Sequence, residues 1–254
     1  MLHFFLMHVN PTSGFLYRKV VEKLPLNKVR VIMPTSLGLG FSSKIAASEH
    51  TAENHIYWIN KVLKELKLKE LVYAGQDWGG PIGMGALSLS PELLKGAVIL
   101  NTGFNAPKAN ADLSPAHALV KTPVIGELLL EVIFSIFERL KSVQGNPDSW
   151  TSEVAELYGR PVYESGNSKA PLAMMRMVPD GPNHQSAPSM RRIEEYVNTL
   201  EIPAEIVWGE NDPILGRALP IMQQNFPNAR LTKTTAGHFL QEEVPNEIAE
   251  ALIR

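Results

Sequence analysis

The 254-residue sequence contains no cysteine. It therefore forms no disulfide bond, offers no thiolate to a metal ion and has no cysteine nucleophile. A chain without disulfides fits a reducing compartment, and we expect a cytoplasmic protein. The sequence also lacks an excess of one charge, with 24 Lys and Arg residues against 26 Asp and Glu residues. Without a basic stripe we expect neither nucleic acid nor an anionic membrane as a partner.

Hydrophobic runs of membrane-spanning length are absent as well. The most apolar long segment, Val124 to Leu140, carries several charged residues and is shorter than a bilayer requires, so it predicts a buried amphipathic helix. The apolar start, Met1 to Met7, lacks the basic residues and the small-residue cleavage site of a signal peptide. We interpret it as a core strand.

Strand-like and helix-like segments alternate along most of the chain. The strand-like segments are Leu2 to Met7, Val29 to Met33, the run from Val72, Ala97 to Leu100, Glu205 to Trp208 and Arg230 to Thr234. Such alternation predicts an α/β fold with a mostly parallel sheet, helices on both faces and a ligand at the carboxyl ends of the strands. Residues 107–188 hold nine of the 19 prolines and show no strand alternation. We therefore predict a helical lid over 107–188, inserted between two parts of one core, 1–106 and 189–254.

The segment Val72 to Pro81, with the sequence VYAGQDWGGP, predicts a strand, a sharp turn and a helix. Asp77 stands at the turn between Gly75 and Gly79, in the pattern of a nucleophile elbow. A carboxylate that attacks a saturated carbon forms an ester that water can cleave, whereas a serine would form an ether with no easy exit. The alternative is that Asp77 only caps the helix that follows.

Two later loops also follow strands and carry titratable side chains. Asp212 comes after the fifth strand and His238 after the sixth. In this arrangement His238 would activate water for attack on the ester, while Asp212 would hold its tautomer and stabilise the imidazolium. The alternatives are a surface histidine and an aspartate in an ordinary Asp-Pro turn. The loop Asn101 to Pro107 has no carboxylate, so it cannot supply the orienting acid. That leaves Asp212, with Glu210 as the weaker neighbour.

Four motifs together resemble the haloalkane dehalogenases of the α/β-hydrolase superfamily. They are HVNPTS around Asn10, GQDWGG around Asp77, WGEND ending at Asp212 and GHF around His238, and the resemblance covers nearly the whole chain. It implies hydrolysis of a small apolar halogenated substrate to an alcohol, a halide ion and a proton, with no metal ion and no organic cofactor. It also implies that the side chains of Asn10 and Trp78 hold the halide and that their main-chain N–H groups form the oxyanion hole.

Two features depart from the family pattern. Val9 stands where the family has a glycine, close to the expected oxyanion hole. The resemblance also implies two strands before Leu2 and a final helix that continues beyond Arg254. Without those strands one edge of the sheet is uncovered, which favours self-association.

Three other functions stay open on the sequence alone. An epoxide hydrolase would use the same triad with two lid tyrosines, and Tyr158 and Tyr163 are the candidates, although both lie in one short stretch. A luciferase-like monooxygenase that needs no cofactor resembles dehalogenases throughout. A catalytically silent hydrolase fold is the non-enzymatic alternative.

Overall fold

The computed structural model describes residues 1–8, 10–109, 120–122, 125–127, 136–165 and 169–254. Within these residues one sheet is formed by β1 (Leu2–Met7), β2 (Val29–Ile32), β3 (Leu71–Gly75), β4 (Leu94–Ile99), β5 (Ala204–Gly209) and β6 (Arg230–Thr234). The strand order is β2-β1-β3-β4-β5-β6, and every neighbouring pair is parallel. The predicted parallel α/β sheet is confirmed.

Helices connect these strands. They are α1 (Arg18–Val21), α2 (Ala52–Glu65), α3 (Gly79–Ser88), α4 (Ile125–Glu127), α5 (Ile136–Arg139), α6 (Ser152–Tyr163), α7 (Lys169–Arg176), α8 (Ala187–Val197), α9 (Leu219–Asn225), α10 (Leu240–Glu243) and α11 (Pro245–Ile253). The hydroxyl of Thr51 accepts a hydrogen bond from the main-chain N–H of Asn54 and so caps the start of α2. No helix of the described ranges is long and apolar enough to cross a membrane.

Both faces of the sheet are buried, because successive side chains of a strand point to opposite faces. On one face Phe5 of β1 joins a core that includes Ile56 of α2. On the other face Phe4 joins a core that includes Val20 of α1 and Ile248 of α11. A strand covered on both sides needs a continuous apolar run, which is what the start of the chain provides.

Helices α4 to α8 lie in the chain between β4 and β5, which are neighbours in the sheet. This is the position of the predicted lid, but its bounds at 107 and 188 stay a prediction. The helix predicted over Val124 to Leu140 lies largely outside the described ranges. Inside the predicted range, Ile125–Glu127 and Ile136–Arg139 are described and helical. The side-chain amide of Asn10 donates to the main-chain oxygen of Pro171 at 3.0 Å and so ties the loop after β1 to α7.

The strand order reverses at β1, which has β2 on one side and β3 on the other. Connections that leave a parallel sheet in opposite directions open a crevice at the carboxyl ends of the strands. The loop after β1 carries Asn10, and the turn after β3 carries Asp77. The fold therefore places both residues beside the crevice where α/β proteins bind ligands.

Candidate active site

Asp77 occupies a strained turn between β3 and α3. Its φ of 48° lies in the left-handed region that L-residues rarely adopt. The turn is tight because glycines allow the chain to pass close to its neighbours. A Cβ on Gly79 would meet the carbonyl oxygen of Met7, and a Cβ on Gly80 would meet the side chain of Thr102. The local sequence thus holds one carboxylate at the carboxyl end of the sheet.

The structure brings Asp77, Asp212 and His238 together from the ends of three strands. His238 Nδ1 lies 3.0 Å from Asp212 Oδ2, and His238 Nε2 lies 3.9 Å from Asp77 Oδ2. Asp212 and His238 are buried, whereas the side chain of Asp77 is 20% exposed. When Nδ1 carries the proton and donates to Asp212, the lone pair of Nε2 is left on the side of Asp77. That is the tautomer a general base needs.

Asp212 accepts hydrogen bonds from four donors. His238 Nδ1 and the Asn101 amide, at 2.9 Å, contact Oδ2, while the main-chain N–H groups of Ile214 and Leu215 contact Oδ1 at 2.7 and 3.1 Å. Burial disfavours the charged carboxylate, but the attraction and hydrogen bond of His238 and the other donors outweigh it. The pKa of Asp212 is therefore held below its usual value. Asp212 stays ionised at neutral pH.

Opposing influences act on the His238 ring. Burial disfavours the imidazolium, but the charge and hydrogen bond of Asp212 and the charge of Asp77 together outweigh burial and raise the pKa of His238. The backbone of this residue is also fixed. Its N–H donates to the Val143 carbonyl at 2.8 Å, and its carbonyl accepts from the Gln76 amide. The ring is held in place while its charge depends on the state of Asp77.

A cavity of about 330 Å³ opens over these groups. Four polar or aromatic donors and acceptors line it, namely Asn10, Asp77, Trp78 and His238. The rest of its described wall is apolar and consists of Pro11, Ile136, Leu140, Val143, Met175, Val178, Pro213, Ile214 and Phe239. A concave, mostly apolar cavity with a few convergent polar groups is typical of small-molecule sites.

Asn10 and Trp78, which line this cavity, carry N–H donors. The indole N–H of Trp78 makes no hydrogen bond to any described residue, although the side chain is only 7% exposed. One hydrogen of the Asn10 amide is used by Pro171, which leaves the second. Within the described residues the main-chain N–H groups of Asn10 and Trp78 donate to no other residue. Val9, which departs from the family pattern, lies outside the described residues.

A larger groove of about 790 Å³ lies elsewhere on the surface. Its described wall includes Phe15, Phe41 and Leu157, together with the exposed ion pair of Arg160 and Glu164. It contains no histidine and no buried carboxylate among those residues. The smaller cavity is therefore the candidate site, because the titratable groups converge there.

The tyrosines that an epoxide hydrolase would need do not reach this cavity. All six tyrosines of the chain lie in the described ranges, and none lines it. The hydroxyl of Tyr158 donates to Glu242 at 3.1 Å, and that side chain is buried. Tyr163 packs edge-on against Phe137 and is 40% exposed.

Asn101 is a contributor that the sequence analysis missed. The sequence of its loop shows only that a carboxylate is absent there, yet the Asn101 amide contacts the oxygen of Asp212 that also contacts His238. The available signal was its position directly after a strand, which it shares with Asp77, Asp212 and His238.

No group of three or more His, Asp or Glu in the described part of the chain is placed to hold a metal ion. That the chain needs no cofactor stays a prediction.

Comparison with known sequences gives one family and several named relatives. The model of the alpha/beta hydrolase fold family matches residues 3–245. A haloalkane dehalogenase of Mycolicibacterium paratuberculosis is 27% identical over 252 residues, which cover 98% of this chain and 81% of the relative. A cis-3-alkyl-4-alkyloxetan-2-one decarboxylase of Shewanella oneidensis is also 27% identical, over 96% of this chain and 78% of the relative.

Solved structures show the same fold. A mutant of the haloalkane dehalogenase DatA from Agrobacterium tumefaciens C58 superimposes with a TM-score of 0.85 at 25% identity, covering 99% of this chain and 88% of the other. The epoxide hydrolase CorEH superimposes with a TM-score of 0.79 at 20% identity, covering 98% and 89%. The fold alone therefore does not choose between these chemistries, and the site has to.

Proposed function

The chain belongs to the alpha/beta hydrolase fold family, and on that premise we propose that it hydrolyses carbon-halide bonds, converting a small haloalkane to an alcohol, a halide ion and a proton. The observation that carries the proposal is the position of Asp77 in one apolar cavity with the indole N–H of Trp78 and the amide of Asn10. A carboxylate supplies the nucleophile. The indole N–H of Trp78 and the amide hydrogen of Asn10 that Pro171 does not use suit an anion that forms during the reaction.

The first step is displacement at the halogen-bearing carbon. An oxygen of Asp77 attacks that carbon in line, the new C–O bond forms, and the halide leaves with the electron pair of the broken bond. Trp78 and Asn10 donate hydrogen bonds to the halide as its charge develops. The apolar wall keeps bulk water away from the Asp77 carboxylate and the substrate. The product is a neutral alkyl ester of Asp77.

The second step is hydrolysis of that ester. Nε2 of His238 takes a proton from a water molecule as the water attacks the ester carbonyl, and Asp212 stabilises the imidazolium. The main-chain N–H groups of Asn10 and Trp78 act as the oxyanion hole for the tetrahedral intermediate. Collapse of the intermediate passes the proton of His238 to the departing alkoxide and releases the alcohol. The second proton of the water remains on the carboxyl group of Asp77, and its loss to solvent restores the carboxylate and gives the proton product.

The placement of the tyrosines supports dehalogenation over epoxide opening. The ring oxygen of an epoxide leaves as an alkoxide and has to receive a proton, which a tyrosine hydroxyl can give and the far less acidic N–H groups of Trp78 and Asn10 cannot. No tyrosine lines the cavity. The second candidate substrate is a cis-3,4-dialkyl oxetan-2-one, because the relative from Shewanella oneidensis that acts on such a ring is as similar to this chain as the dehalogenase is.

We also propose that residues 107–188 act as the lid of this site. Met175 and Val178 line the cavity from that segment, and Pro171 accepts the hydrogen bond from Asn10. The shape of the lid would then select the substrate, since much of the apolar wall comes from residues 107–188.

Self-association of the protein through the outer edge of β2 stays a prediction. This strand lies at one end of the described sheet.

The test separates the halide donor from general effects of tryptophan loss. Trp78→Phe keeps an aromatic ring but removes the indole N–H, and we expect halide release from a brominated alkane to fall by about 10- to 100-fold, the loss of one hydrogen bond to a charged group. Trp58→Phe is the matched control, because Trp58 packs against the ring of His55 and does not line the cavity. An unchanged rate in Trp78→Phe would remove Trp78 from the halide site. Turnover of an epoxide or a dialkyl oxetan-2-one without halide turnover would reassign the activity.

A further inference from the structure

Asn101 is a fully buried residue at the carboxyl end of β4 that joins three parts of the site. Its side-chain amide donates to the carbonyl oxygen of Gly209 and to Asp212 Oδ2, both at 2.9 Å. Its side-chain oxygen accepts the N–H of Gly209 at 2.8 Å, and its main-chain oxygen accepts the N–H of Asp77 at 2.8 Å. One residue thus holds the turn of the nucleophile and the loop of the acid at fixed separation.

The contact with Asp212 is selective for one oxygen. Oδ2 receives both the Asn101 amide and His238 Nδ1, whereas Oδ1 receives only the main-chain N–H groups that shape the loop. Two donors on one carboxylate oxygen share its charge. The negative charge on Oδ2 that interacts with the Asn101 amide therefore interacts less strongly with His238.

We propose that Asn101 is a positioning residue that limits the charge Asp212 presents to His238 and so sets how readily His238 gives up its proton. The catalytic consequence rests on the proposed function, but the effect on His238 exists in the resting protein. Among the described residues, the charged group besides Asp212 that faces the ring is Asp77, whose Oδ2 is 3.9 Å from Nε2. The Phe239 ring packs edge-on against the imidazole. A substitution at position 101 leaves both of these in place.

The direction of the effect follows from the hydrogen bonds. Without the Asn101 donor, the charge on Asp212 Oδ2 interacts more strongly with the imidazolium. The pKa of His238 therefore rises, and the acid limb of ester hydrolysis moves to higher pH. Alkylation of Asp77 does not use His238 as a base, so its rate changes less than the rate of hydrolysis.

The experiment is an NMR titration of the full-length protein labelled with ¹³C in its histidines. The His238 signal is assigned by its absence from His238→Gln. In Asn101→Leu, which removes the donor and excludes water from its place, we expect the pKa of His238 to rise by about 0.5 to 1 unit. Asn60→Leu is the control, because Asn60 is an equally buried amide that donates to Ala86 and Ser90, away from the site. Both variants should lose stability, but only the first should move His238.

A folded Asn101→Leu protein with an unshifted or lowered His238 pKa would overturn the proposal. If that variant does not fold, Asn101→Ala removes the same donor without added bulk, and the same two outcomes apply to it. The titration needs no substrate, so a protein that releases no halide can still show the shift. Failure of the proposed function and failure of this inference are thereby distinguished.

Discussion

The charge of Asp77 should control the protonation of His238, and Asp77→Asn tests this directly. The substitution keeps the shape of the side chain but removes the negative charge 3.9 Å from His238 Nε2. Two unit charges about 4 Å apart interact by about 1 kcal/mol in water and about 4 kcal/mol at the effective dielectric constant of a protein. Because one pKa unit corresponds to about 1.4 kcal/mol, the pKa of His238 should fall by roughly 1 to 3 units.

The assay is the same histidine titration, applied to wild type and Asp77→Asn. Since Asp77 is one of the groups that raise the pKa of His238 in the wild type, its neutralisation must lower that value. An unchanged or raised pKa in the folded variant would refute the electrostatic coupling.

This coupling has a kinetic meaning. The alkyl ester of Asp77 is neutral, as the asparagine is, so formation of the ester should make His238 release its proton more readily. In the proposed mechanism hydrolysis requires neutral His238, so its rate should fall as pH drops through the pKa of that residue in the ester. The acid limb of kcat, where hydrolysis limits turnover, should therefore lie below the pKa of His238 in the free protein.

Three further predictions concern the base, the turn and the stability of the fold. His238→Gln should release about one equivalent of halide per site and then stop, with the alkyl group retained on the protein in intact mass spectra; continued turnover would exclude His238 as the base. Gly79→Ala should reduce the free energy of unfolding, measured in urea, by about 1–3 kcal/mol, because the new Cβ would meet a main-chain carbonyl. Gly181→Ala is the control and should have little effect, because nothing lies within 4 Å of a Cβ at that position. Burial lowers the pKa of His50 to about 4 and that of His55 to about 3. Because these histidines are protonated at a higher pH in the unfolded chain than in the folded protein, the free energy of unfolding should fall as pH drops from about 6.5 towards 4. If the free energy of unfolding of His55→Gln falls with pH as steeply as that of the wild type, His55 does not contribute to this pH dependence.

Much of the fold was accessible from sequence because period and length identify buried strands. The run Leu2–Met7 was predicted as a strand and is β1 with the same bounds. The predicted start of another strand was wrong, since β4 begins at Leu94 and not at the predicted Ala97. Lys95 and Gly96 interrupt the apolar run there, so hydrophobicity alone could not show that pairing with β3 had already begun.

The candidate site was predictable only where a local pattern marks it. Small residues around Asp77 indicate a tight turn whatever the rest of the chain does. The role of Asn101 depends on β4 lying beside β5, a strand order that no local pattern contains. The sequence also could not predict where an individual side chain points. The hydroxyl of Tyr158, for example, contacts Glu242, and Tyr158 does not line the cavity.

The central claim is that Asp77 is the nucleophile of a dehalogenase, and bromide release with proton production from a brominated alkane tests it most directly. Purified wild type and Asp77→Asn are compared, with an epoxide assayed in parallel. We expect bromide and protons in equal amounts from wild type and none from the variant. Bromide release by Asp77→Asn at the wild-type rate, or a folded wild type that releases no bromide, would contradict it.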